Sequence, residues 1–114
     1  VKRSLDAAKI AAEQHGVDVE VLDLRTVQPF DMERIAESVK KTGKLMIAHE
    51  DSLSWGIGSE IAARAADELF PWLDGPVRRV ASKDTWVAYA PRLEEVILPQ
   101  THDVLKAIVE LARY

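Results

Sequence analysis

His49-Glu50-Asp51 sets an imidazole beside two carboxylates. Such a set could move protons or hold a metal ion. It follows the apolar run Leu45-Met46-Ile47-Ala48. That run places it at the carboxyl end of a buried strand, where open parallel sheets receive ligands. Alternation along a strand sends His49 and Glu50 to opposite faces unless the chain turns between them. Three consecutive residues are no metal signature, so a polar loop or an interface contact is the competing reading. Gly56-Ile57-Gly58-Ser59-Glu60 opens the next helix and resembles a phosphate-binding turn. The third glycine of the dinucleotide fingerprint is missing and the preceding loop is acidic, which favours a tight turn with close helix packing. Ser52, Ser54, Ser59 and Ser82 lack the setting of a nucleophile elbow. His15 and His102 fall at helix ends without sequence partners. Lys40-Lys41 and Arg78-Arg79 read as solvated faces. Trp55, Trp86 and Tyr89 fall in loops that follow strands, and Trp72 stands beside Pro71 after a helix. Large aromatics in loops either cover the domain's own core or anchor a partner.

The elements that must position these residues alternate in type. A helix spans residues 2–15, with Leu5, Ala8 and Ala12 at helical spacing, Ile10 and Ala11 as further candidates for that face, and Gly16 as its stop. Residues 17–24 alternate Val17, Val19 and Val21 with Asp18 and Glu20, as a strand does; Leu22 and Leu24 begin to fill the other face. Asp31 caps a helix over 32–42 whose inner face is Ile35, Ala36 and Val39. Residues 44–49 form a short central strand, followed by a loop over 50–55. A helix over 59–70 carries Ile61, Ala62, Ala65 and Leu69 inward. A third strand runs over 77–82, and residues 83–91 are a loop. One or two helical turns occupy 92–97. A last helix, 102–113, turns Val104, Leu105, Ile108 and Leu111 inward. Strands separated by crossover helices predict an α/β fold of three layers, α/β/α, with a mostly parallel sheet. The opening helix and the small number of strands suggest a fragment that lacks its first strands.

Composition narrows the function classes. The chain has 114 residues, 47% of them hydrophobic, which suits one domain with its own core. Fifteen basic and nineteen acidic residues give a net charge of −4, against a nucleic-acid-binding surface. The absence of cysteine removes disulfides, thiolate metal sites and thiol nucleophiles, and fits a reducing compartment. No apolar run approaches the ~20 residues that span a bilayer. No apolar stretch of a signal peptide follows Val1-Lys2-Arg3-Ser4.

Several runs, in order, resemble one family. Asp23-Leu24-Arg25-Thr26-Val27-Gln28-Pro29-Phe30-Asp31 is similar to the D-L-R-T-L-x-P-x-D segment of the beta subunit of thiamine-diphosphate-dependent 2-oxo acid dehydrogenases. Lys41-Thr42-Gly43-Lys44-Leu45, followed by His49-Glu50-Asp51, resembles its strand and loop. Gly56-Ile57-Gly58-Ser59-Glu60-Ile61-Ala62-Ala63 resembles its G-[FVI]-G-[AS]-E-[IV]-A-A helix start. Asp74-Gly75-Pro76-Val77-Arg78-Arg79-Val80, Tyr89-Ala90-Pro91-Arg92-Leu93-Glu94 and Leu98-Pro99-Gln100 continue the match. Trp86 departs from the proline common at its position. The resemblance is to the C-terminal domain of the transketolase superfamily. Residues 49–60 and 89–100 look most like the branched-chain, or 2-oxoisovalerate, type rather than the pyruvate or acetoin type.

The resemblance implies a single domain, residues 1–114, cut from a longer beta subunit. It implies no catalytic, cofactor-binding or metal-ligating residue here; thiamine diphosphate and magnesium would bind elsewhere in the intact enzyme, and the fragment alone would be inactive. The intact enzyme would decarboxylate a 2-oxo acid and acylate a lipoyl group. The implied role is assembly, with an alpha subunit and a second beta subunit in a heterotetramer and with the binding domain of a lipoyl transacylase, but not with nucleic acid or membrane. His49, Glu50, Asp51, Trp55, Trp86, Tyr89, Arg113 and Tyr114 are the candidate interface residues. The location would be cytoplasmic in a bacterium and the mitochondrial matrix in a eukaryote. Two alternatives stand beside this reading: a stand-alone module for a small ligand or anion, and the C-terminal domain of a transketolase or deoxyxylulose-phosphate synthase. The family sheet has five strands of mixed direction, two of them before the first helix. One of those two should lie between residues 17–24 and 45–49, so a gap there, a rearranged pairing or a strand borrowed from another chain is expected.

Overall fold

The computed structural model describes residues 1–114. The chain runs α1 (Lys2–His15), α2 (Met32–Thr42), β1 (Met46–Ser52), α3 (Ile57–Glu68), a 3-10 turn (Phe70–Trp72), β2 (Arg78–Ser82), α4 (Pro91–Ile97) and α5 (Thr101–Ala112). Helix ends follow the local chemistry. Gly16 closes α1 with φ 65°, in the left-handed region that suits glycine. Asp31 caps α2 by accepting a hydrogen bond from the Arg34 amide at 2.9 Å, an arrangement that contributes about 1 kcal/mol. No helix is long and apolar enough to cross a membrane.

The layers are α/β/α. On one face α1 and α5 pack together, with Ala7, Ala11, Val104 and Ile108 buried against Met46 and Val80. On the other, Phe30, Ile35, Val39, Ile61, Ala65 and Leu69 form the larger cluster, joined by Leu45 and Ile47. Alternation along β1 thus supplies both cores, as a strand covered on both sides must. Fully burying side chains of the size of Val39 and Val104 contributes about 1.5–3 kcal/mol each. The buried face of α1 includes the expected Ala11 but is otherwise shifted. Ala7 and Ala11 lie inside and Leu5 is exposed, because the close packing of α1 on α5 selects small side chains at the contact.

The sheet has two parallel strands, β1 and β2, with Met46 opposite Arg78, Ile47 opposite Arg79 and Ala48 opposite Val80. A bulge follows, and Ser52 pairs with Ser82. Strand β1 therefore continues through Glu50 and Asp51, where a loop was expected. Residues 17–24 are the main correction. Their alternation is present, with Val17 and Val19 packed on one core and Leu24 on the other, but they form no ladder. No backbone hydrogen bond joins them to β1. Between them and β1 lies a cavity of about 410 Å³ lined by, among others, Val19, Val21, Ile47, Ile61, Val104 and Ile108. Val1 also lines it. The expected gap is there, and the segment lacks strand pairing because it has no neighbour to pair with. Glu20 tethers it to α2 through Lys41 at 3.3 Å and Arg34 at 3.4 Å.

Candidate functional site

The carboxyl end of the sheet gathers most of the residues singled out above. His49 and Glu50 part company, as strand alternation requires. The Glu50 carboxylate reaches Arg3 of α1 at 3.5 Å, and its carbonyl accepts the Ser82 hydroxyl at 2.6 Å. The His49 ring turns the other way, under the start of α3. A Cβ on Gly58 would overlap His49 Nε2, and one on Gly56 would meet the Ser52 carbonyl and the His49 ring. The two glycines are there because the imidazole and a carbonyl occupy the space that side chains would need. Both ring nitrogens are shielded and without a hydrogen-bond partner. Burial pushes the His49 pKa below its ordinary value; Asp51 opposes this and Arg79 adds to it.

This geometry removes the phosphate-turn reading. The space beside Gly58 holds the His49 ring, not an anion. The Ser59 amide donates to the Gly56 carbonyl at 2.9 Å, and the Ser59 hydroxyl receives the Arg79 guanidinium at 2.5 Å. His49, Glu50 and Asp51 do not converge on a metal either, and no group of three His, Asp or Glu side chains could hold one. Neither this turn nor residues 49–51 offers a cradle for a magnesium diphosphate headgroup.

Two loops meet beyond the strand ends. The Ser54 amide donates to Asp84 Oδ1 at 2.9 Å, and its hydroxyl donates to Asp84 Oδ2 at 2.6 Å. The Ser54 hydroxyl, then its amide, hold the Asp84 carboxyl below the usual carboxylate range. On these loops stand Trp55, Trp86 and Tyr89, whose exposures are 99%, 93% and 102%, with Val87 exposed beside them. None of the three rings covers the domain's own core. Trp55 holds a left-handed backbone, φ 64°, uncommon for a bulky residue. Trp72 is different: Lys40 Nζ lies 4.6 Å from its ring centre.

Arg113 and Tyr114 lie apart from this group. The Tyr114 hydroxyl accepts from Arg78 at 3.2 Å, at the opposite end of β2 from Trp86. The eight candidates therefore divide: Glu50, Asp51, Trp55, Trp86 and Tyr89 are exposed near the carboxyl ends of the strands, His49 is turned inward, and Arg113 and Tyr114 are at the far end. The Ser54–Asp84 pair was not singled out from the sequence. A contact across 30 residues has no local signature.

The family model described as "Transketolase, C-terminal domain" matches residues 1–104. The chain is 45% identical over 108 residues to the pyruvate dehydrogenase E1 component subunit beta of Rickettsia bellii, covering 95% of this chain and 33% of that protein. It is 39% identical to the mitochondrial pyruvate dehydrogenase E1 component subunit beta of Saccharomyces cerevisiae, covering 97% of this chain and 31% of that one. Among solved structures it resembles "Split gene transketolase, inactive beta4 tetramer", with a TM-score of 0.82 and 28% identity, over 98% of this chain and 36% of the other. The chain spans about a third of the length of the curated relatives it matches.

Proposed function

The chain belongs to the transketolase C-terminal-domain family, and on that premise we propose that it is the assembly domain of the beta subunit of a thiamine-diphosphate-dependent 2-oxo acid dehydrogenase. The chemistry of such an enzyme is oxidative decarboxylation of a 2-oxo acid with transfer of the acyl group to a lipoyl carrier. The cofactor is held outside these residues, whose part is contact area. The names of the relatives favour pyruvate over the branched-chain substrates suggested by residues 49–60 and 89–100. They also favour the dehydrogenase over a transketolase, since the transketolase likeness rests on 28% identity. The slot beside β1 takes a strand from a preceding part of the same chain.

The observation that carries the assembly reading is the exposure of Trp55, Trp86 and Tyr89 on two loops stitched together at one end of the sheet. Aromatic rings left in water by their own domain are the usual anchors of an interface. A companion alpha subunit is the proposed occupant. The test is co-purification of the full beta subunit with its alpha subunit. Trp55→Ala and Trp86→Ala should each weaken association by about tenfold or more, the range of a modest hot spot. Turnover per assembled complex, with pyruvate and with branched-chain 2-oxo acids, should hold near the parent value. A collapse of turnover with assembly intact would overturn the reading.

A further inference from the structure

We propose that His49 is a proton-operated latch on the segment over residues 51–56: the neutral ring holds it closed against the start of α3, and the protonated ring leaves and lets it open. The ring fills the space under Gly56 and Gly58, where a Cβ on Gly58 would overlap Nε2 and one on Gly56 would lie 3.0 Å from Cε1. Both ring nitrogens are shielded from solvent, so a charged ring could not keep its water shell there. The helix beside it adds to that cost. Gly56 is the N-cap of α3 and no side chain caps the helix, so its first amides and the positive end of its dipole lie next to the imidazole. From β2, Arg79 brings a fixed cation, held by the Leu53 carbonyl at 2.6 Å and the Ser59 hydroxyl at 2.5 Å. On β1, Asp51 favours the charged ring, while Glu50 is turned away to Arg3. Glu60, in the first turn of α3, is exposed, and across the slot Asp23 and Arg25 pair with each other at 3.2 Å. Burial is the largest effect and, with Arg79, outweighs Asp51, so the enclosed ring takes a proton less readily than a free one. The segment it holds is loosely built. None of residues 51–56 belongs to either core, whereas α3 is anchored by Ile61 and Ala65. Its other ties are the Leu53 amide on the Ser82 carbonyl at 3.0 Å and Ser54 on Asp84, and Leu53, Ser54 and Trp55 are exposed. A segment with few buried contacts opens at a lower cost than the whole domain. Opening returns the ring to its ordinary proton affinity, so acid favours the open form.

The experiment is hydrogen exchange on the full-length protein at pH 7.5 and 5.5, corrected for the intrinsic effect of pH on exchange, with the histidine rings titrated in parallel by NMR. The His49 ring should titrate below His15 and His102, which are exposed at helix ends. Protection of the Leu53, Ser54 and Ser59 amides should fall by up to about tenfold at pH 5.5, the most that a ring of ordinary pKa near 6.5 can give over this interval. The amides of α5 should keep their protection. His49→Gln should remove the pH dependence at the three amides. Asp51→Asn, which removes the carboxylate that favours the charged ring, should move the His49 titration to lower pH. A His49 titration level with those of His15 and His102 would overturn the latch. So would protection of the three amides that is the same at both pH values, or that falls equally in the parent and in His49→Gln. An equal loss in α5 would mean that acid loosens the domain as a whole, and would overturn it as well.

Discussion

At the scale of single residues, His49 concentrates the most tension. Its ring is enclosed by β1 and the start of α3, with both nitrogens shielded from solvent. Burial lowers its pKa below the ordinary 6.5. The unfolded chain then binds a proton that the folded chain refuses. Stability from this group is intact above about pH 6.5 and is lost as the pH falls toward the lower folded value. Urea melts at pH 7.5 and 5.5 should show a larger drop in midpoint for the parent than for His49→Gln. The same ring fixes Gly58. Adding a methyl group there, Gly58→Ala, should cost about 1–3 kcal/mol, as overpacking does. Thermal melts of the double change, His49→Ala with Gly58→Ala, should show less loss than the two single losses added together, because removing the ring vacates the space the methyl needs.

At the scale of elements, the helices read well from sequence and the sheet less so. The limits of α1 and α2 were legible because Gly16, Asp31 and Gly43 act on the backbone locally. The apolar run before His49 marked β1, but its polar end did not, since Glu50, Asp51 and Ser52 stay paired only through the bulged register with β2. Residues 17–24 show where periodicity stops. Alternation says which side chains face which core, whereas a ladder needs a second backbone, and none lies within reach. Their amides should therefore exchange with deuterium far faster than those of α5 when the chain is studied alone. In a longer beta subunit whose preceding strand fills the slot, they should become protected. Equal, rapid exchange in the longer protein would show that no strand enters. The two loops at the carboxyl end were legible as candidates by their aromatic content, but the Ser54–Asp84 join that unites them was not.

At the scale of the whole molecule, the domain carries two unfinished surfaces. The exposed aromatics at the carboxyl end of the strands face outward, and the slot beside β1 faces inward between the two cores. The slot explains why Ala48 and its neighbours on β1 are less buried than a central strand should be. It also sets how these residues behave when handled by themselves. A bare strand edge with an apolar floor is a template for any extended chain, including another copy of the same sequence. Concentrated solutions of the 114-residue chain are thereby prone to edge-to-edge aggregation, and a peptide that occupies the groove would serve as its solubiliser.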